Sequence, residues 1–96
     1  MLAVTKIMKQ TKRGNGISAT PPGETLRELL RAKGISQKLL AETIGRPVKT
    51  VNEIIHAKAR ITEHTALELE HALNVPAHFW MALETNYRIA VARMCI

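Results

Sequence analysis

Ninety-six residues make one small domain, and a chain of this size buries only about 60–65% of its unfolded surface, which leaves no room for a second domain and little for a deep enclosed active site. Fourteen Lys and Arg against eight acids, all Glu, give a formal charge of +6; such a surplus points to a polyanionic partner, most often nucleic acid, or to plain solubility. A single cysteine, Cys95, excludes a disulfide framework and a Cys-based zinc site and fits a reducing cytosol, and no apolar run approaches the roughly 18 residues of a membrane span.

The chain starts with weak periodicity. Residues 1–22 carry Lys6, Lys9, Lys12 and Arg13 without an acid, and they fit a targeting peptide poorly because no extended apolar stretch accompanies the single Arg. The reading here is a flexible basic arm. Adjacent Pro21 and Pro22 hold the backbone extended, so ordered structure is expected from Gly23 or Glu24.

Five helical segments follow, each closed by a Gly, Asn or Pro signal. Helix one, over 24–33, turns Leu26, Leu29 and Leu30 inward. Gly34 takes the left-handed position after it, with Ile35 folding back on the last turn. Ser36 caps helix two, over 37–44, whose inner face is Leu40, Ala41 and Ile44. Gly45, Arg46 and Pro47 separate it from helix three, over 48–57. Two short helices joined by so brief a Gly-containing turn form a helix-turn-helix unit.

On helix three, Val48, Val51, Ile54 and Ile55 share one side and are expected to pack inward. The other side holds Lys49, Asn52, Glu53 and His56, with Thr50 beyond its edge. A solvated face favours long charged residues, whereas this one mixes a cation, hydrogen-bonding groups and an imidazole along a helix about 15 Å long. That length suits a major groove and about four base pairs; the alternative is an ordinary exposed face.

Thr62 caps helix four, over 63–73, with Ala66, Leu69, Ala72 and Leu73 inward. Its His64, Glu68 and His71 stack at i, i+4 and i+7, which raises a metal site. The face lies opposite the apolar stripe, however, and a solvated surface accounts for it better. No His-Glu-x-x-His motif and no Gly-rich phosphate loop is present, and Cys95 sits at the very end of the chain rather than in a catalytic setting. No metal, no cofactor and no enzymatic activity are expected.

Helix five follows Pro76 and carries all three aromatics, Phe79, Trp80 and Tyr87. Phe79 and Trp80 are expected to close the core over helices one and four. The apolar stripe outruns such a core from Tyr87 onward, so Trp80, Leu83, Tyr87, Val91 and Met94 are assigned to a dimer seam or partner surface.

The run Ser36-Gln37-x-x-Leu40-Ala41-x-x-x-Gly45, followed by Val51-Asn52-Glu53-Ile54-Ile55, resembles the Xre/Cro-type helix-turn-helix. Three further pieces narrow this: Pro22-Gly23-Glu24, Ile61-Thr62-x-x-Thr65-Ala66-x-x-Leu69, and Phe79-Trp80-x-x-Leu83-Glu84-x-x-Tyr87. As an ordered set the chain is similar to the HigA (VapI-type) antitoxins of bacterial addiction modules, over residues 21–88. The resemblance implies an all-α, five-helix (lambda-repressor-like) domain over 23–96; the basic arm at 1–22 has no counterpart in it. It implies a cytoplasmic, nucleoid-associated bacterial homodimer that binds operator DNA at an inverted repeat. It also implies a second partner, a RelE-like (HigB-type) mRNA-cleaving toxin that the protein neutralises while repressing its own operon. The rival is a stand-alone Xre-type repressor without a toxin; a pure protein-binding helical module is more distant. Pro21 stands where the family often has His, and Pro47 where it often has a capping Ser.

In such a domain the third helix enters the groove with its N-terminal half nearest the bases. Lys49 suits guanine O6/N7, Asn52 adenine, and Glu53 cytosine N4, with Thr50 beside them. Gln37, first in helix two, meets a phosphate at a positive helix end. Lys38, Arg46, Lys58 and Arg60 neutralise phosphates, as does His56 when protonated. Neutralising about four phosphates per subunit gives a dimer a log–log salt slope near −7.

Overall fold

The structure, a computed structural model, describes residues 20–95. The expected arm therefore lies outside the described residues except for Thr20, Pro21 and Pro22. Among those described, five helices and no strand are found: α1 Pro22–Lys33, α2 Gln37–Ile44, α3 Val48–Ile55, α4 Glu63–Leu73 and α5 Ala77–Met94.

The stops and starts are made by a few local devices. Gly34 and Gly45 adopt φ 69° and 71°, the left-handed region that costs glycine nothing. Each turn is closed by a backbone bond, Ile35 N–H to Leu30 O at 2.9 Å and Arg46 N–H to Ala41 O at 2.9 Å. Ser36 Oγ accepts from Leu39 N–H at 3.0 Å and caps α2, and Thr62 Oγ1 accepts from Thr65 N–H at 3.3 Å and caps α4. Pro76 offers no such oxygen to α5. Glu70 Oε1 reaches across from α4 instead and accepts from Ala77 N–H at 2.7 Å.

Two boundaries differ from expectation. α1 begins at Pro22, because a proline at the first helical position has no N–H to leave unpaired and its φ is already helical. α3 closes at Ile55 rather than at 57, because Ala57 turns left-handed with φ 62°. Ala57 N–H then bonds Ile54 O at 3.2 Å and Lys58 N–H bonds Glu53 O at 2.8 Å, a glycine-type stop made without glycine.

The core joins Leu26, Leu29 and Leu30 of α1, Leu40 and Ala41 of α2, and Val51, Ile54 and Ile55 of α3. Ala66, Leu69 and Leu73 of α4 complete it with Ile61, Val75 and Trp80. Taking one such aliphatic side chain out of water contributes about 1.5–3 kcal/mol. α1 packs on α3 and α5, α4 packs on α2 and α5, and α2 and α3 pack on each other. Where α1 meets α3 there is no room for a side chain: a Cβ on Gly23 would sit 2.7 Å from the Ile55 carbonyl carbon and collide with the Ile54 and Ile55 carbonyl oxygens.

Two packing expectations are corrected. Val48 does not turn inward but is 44% exposed, because it is the first residue of α3 and lies beyond the reach of the core. Trp80 is 0% exposed. Enclosed by the chain's own core with Phe79 edge-on at 5.6 Å, it closes the core as expected, and only its further assignment to a seam is overturned.

Candidate nucleic-acid interface

The backbone of α3 is set from both ends. Pro47 cannot cap it with a side chain, so its carbonyl accepts from Thr50 N–H at 3.0 Å and the first helical N–H groups stay free. At the other end Gly23 seats the last turn against α1. With Val51, Ile54 and Ile55 buried, the opposite side must face outward: Lys49, Asn52 and His56 are exposed, and Thr50 and Glu53 half-buried. Gln37 opens α2 beside them, half-buried, and Lys38 follows it exposed.

Side-chain bonds stiffen this face. Asn52 Nδ2 donates to Gln37 Oε1 at 3.3 Å, so two residues assigned separately to base and phosphate are joined. His56 Nδ1 lies 2.9 Å from Asn52 O. A carbonyl only accepts, so the proton sits on Nδ1 and Nε2 is left for an outside partner.

Lys58 and Arg60 are exposed on the α3–α4 loop. Among the described residues Lys38, Lys49, Lys58 and Arg60 form no ion pair with a carboxylate, which leaves their charge available to a polyanion. Arg46 differs from its expected role. Its Nε and Nη2 hold Glu68 at 3.0 and 3.2 Å, so the guanidinium ties the α2–α3 turn to α4 and its charge is already compensated.

The same pair occupies the carboxylate of the His64, Glu68, His71 row. Among the described residues no group of three or more His, Cys, Asp or Glu is placed to hold a metal ion, and no helix is long and apolar enough to cross a membrane.

On α5, Leu83, Tyr87 and Val91 are half-buried and Met94 is 65% exposed, forming a strip that continues the core-facing side of the helix past the core. A groove also runs between α5 and the α3–α4 loop, lined by Arg60, Ile61, Met81, Arg88 and Ile89 among others.

Glu84, which the sequence marks only as part of the α5 motif, has a structural role. It is 6% exposed, accepts from Ile61 N–H at 3.0 Å and holds Arg88 Nε at 2.6 Å. Its place four residues after Trp80, on the core-facing side, was the available signal, because an acid there must find partners.

A family profile described as Helix-turn-helix matches residues 26–80. Virulence-associated protein I of Dichelobacter nodosus is 34% identical over 79 residues, covering 81% of this chain and 73% of that protein. The structure of the Pseudomonas aeruginosa antitoxin HigA with the higBA promoter aligns with a TM-score of 0.77 at 33% identity, over 81% of this chain and 86% of the other. An addiction-module antidote protein of the HigA family from Coxiella burnetii aligns with a TM-score of 0.70 at 32% identity, over 76% and 80%. Turn chemistry, the helix that carries Phe79 and buried Trp80, and these likenesses agree, and the chain belongs to the Xre/Cro-type helix-turn-helix family, among its HigA-like members.

Proposed function

We propose that the protein is the antitoxin of a type II toxin–antitoxin module, acting in the bacterial cytoplasm as a homodimer that represses its own operon. The observation that carries the DNA-binding half is the pairing of a rigid polar face on α3 with the uncompensated cations Lys38, Lys49, Lys58 and Arg60 around it. Bases are read by Lys49, Thr50, Asn52 and Glu53, and phosphates are held by Gln37, Lys38, Lys58, Arg60 and protonated His56. The likeness to an antitoxin solved with its promoter supports this reading. Joined through Leu83, Tyr87, Val91 and Met94, two copies present two recognition helices to half-sites about 34 Å apart, hence to an inverted repeat.

The second partner is a RelE-like, HigB-type toxin, a reading supported by the likeness to HigA antitoxins. Glu68, Glu70 and Glu84 are all held by bonds within the fold, so they are not spare acids for masking a basic toxin.

Purified protein should retain, from sheared genomic DNA at about 150 mM salt, one inverted repeat upstream of its own gene. The neighbouring small open reading frame should encode a protein that co-purifies with it. Enrichment at many distant promoters would point to the stand-alone repressor, and no enrichment would overturn DNA binding.

A further inference from the structure

We propose that Glu84 is a positioning residue for DNA binding: its buried carboxylate holds the end of the α3–α4 loop so that Arg60 meets a backbone phosphate. The proposal rests on the phosphate-holding role given to Arg60 above.

A buried carboxylate is a poor means of stabilising a core. Replacing a buried ion pair by apolar side chains of like size is often neutral or better, and Glu84 stands four residues after Trp80 on the inward side of α5, where a leucine would pack. What an apolar side chain cannot do is hold two groups by bonds of fixed direction. Glu84 is 6% exposed. Its Oε1 accepts from the Ile61 backbone N–H on the loop at 3.0 Å, and its Oε2 accepts from Arg88 Nε on α5 at 2.6 Å.

The first bond decides where Arg60 sits. On the α3 side of the loop, the N–H groups of Lys58 and Ala59 both donate to Glu53 O, at 2.8 and 3.2 Å, so that half moves with the reading helix. On the far side Ile61 is 2% exposed, its N–H is taken by Glu84, and Thr62 then caps α4. Arg60 stands between these anchors, exposed. Without Glu84 the buried Ile61 N–H would have to turn to water, carrying the Arg60 backbone with it. Lys58, tied to α3, would stay in place.

The second bond serves the same end through charge. Arg60 and Arg88 line one groove with Glu84. Glu84 compensates the Arg88 guanidinium, whose Cζ lies 5.1 Å from the Tyr87 ring centre. Glu63 lines the groove too, but among the described residues Arg60 makes no ion pair with it or with any other carboxylate. Arg60 therefore faces no uncompensated cation from Arg88 and keeps its own charge for a phosphate.

The test uses the full chain and the operator duplex from upstream of its gene, with affinity measured across about 50–200 mM salt and a thermal melt run on each variant. Arg60→Ala and Glu84→Leu should each flatten the log–log salt slope by about one unit, and the two together should flatten it no further. Lys58→Ala should add its own unit to either. Glu84→Gln, which still accepts from Ile61 N–H, should keep the wild-type slope even where loss of the Arg88 pair lowers its melting temperature. Should Glu84→Leu fail to fold, Glu84→Asp, one methylene too short to reach Ile61, carries the same expectation. The proposal is overturned if the leucine or aspartate variant melts lower yet keeps the wild-type slope, as a merely structural acid would. It is also overturned if the losses from Arg60→Ala and Glu84→Leu add. An unchanged slope in Arg60→Ala, with the operator still bound, removes the phosphate role of Arg60 and this proposal with it. No binding by wild type would instead bring down the DNA-binding reading as a whole.

Discussion

Replacing Gly23 by alanine tests the closest approach in the fold. The new Cβ would lie 2.7 Å from the Ile55 carbonyl carbon, where ordinary contact begins near 3.4 Å, and its other neighbours are the carbonyl oxygens of Ile54 and Ile55. These are backbone atoms with no rotamer to change, so α1 and α3 must part by about 1 Å at a site already packed to native density. Overpacking of this kind costs about 1–3 kcal/mol, and the better helix propensity of alanine offsets at most about 1 kcal/mol. The expected net loss of about 1–2 kcal/mol lowers Tm by roughly 4–16 °C in a domain of this size. Thermal melting followed by circular dichroism measures it. A second readout separates this from generic destabilisation: the displaced atoms belong to the last turn of α3, so operator affinity should also fall at a temperature where the variant is still folded. Gly34→Ala is the control, because nothing lies within 4 Å of its Cβ and its penalty is confined to a left-handed backbone, about 1–2 kcal/mol, with operator affinity unchanged. A Gly23→Ala variant that melts at or above the wild-type temperature would refute the reasoning, since helix propensity alone predicts that result.

Ala57 holds φ 62° at the stop of α3, so Ala57→Gly should stabilise the protein by about 0.5–1 kcal/mol, read as a rise in Tm; a fall would mean that the left-handed turn is absent in solution. Lys58→Ala should weaken binding to all DNA alike and flatten the log–log salt slope by about one unit. Arg46→Ala should leave that slope unchanged, because its charge is held by Glu68, and should lower stability by about 1 kcal/mol or less; equal slopes in the two variants would sink the distinction. Val91→Glu places a charge in the α5 strip, and sedimentation equilibrium should then report monomer with helical content intact; a persistent dimer would move the seam elsewhere.

The frame was legible where local chemistry decides. Ser36, Gly34, Gly45 and Thr62 act through bonds to residues three to five positions away, and the i, i+3, i+4 leucines of α1 need only a helix to share a face. What escaped depends on distant partners. Arg46 and Glu68 are 22 residues apart, and a cation beside a reading helix looks equally suited to a phosphate or to an acid not yet placed. Glu84 meets Ile61 across 23 positions. The stop at Ala57 carries no glycine to announce it, and Val48 followed the apolar pattern yet lies at a helix end beyond the core. Within the candidate site, residue types and faces were readable, whereas the bond joining Gln37 to Asn52 needed the packing of α2 on α3.

Glu84 grips two things at once: the backbone at Ile61, where the phosphate-directed loop ends, and the α5 side chain of Arg88. In a dimer joined through α5, that one carboxylate lies on the mechanical path between the two reading heads. A compliant joint there would let each head settle independently on half-sites of varied separation; a stiff one makes the pair behave as a caliper of fixed span. In such a dimer, the tolerance for an inserted or deleted base pair between half-sites would be set as much by a buried acid far from the groove as by any residue inside it.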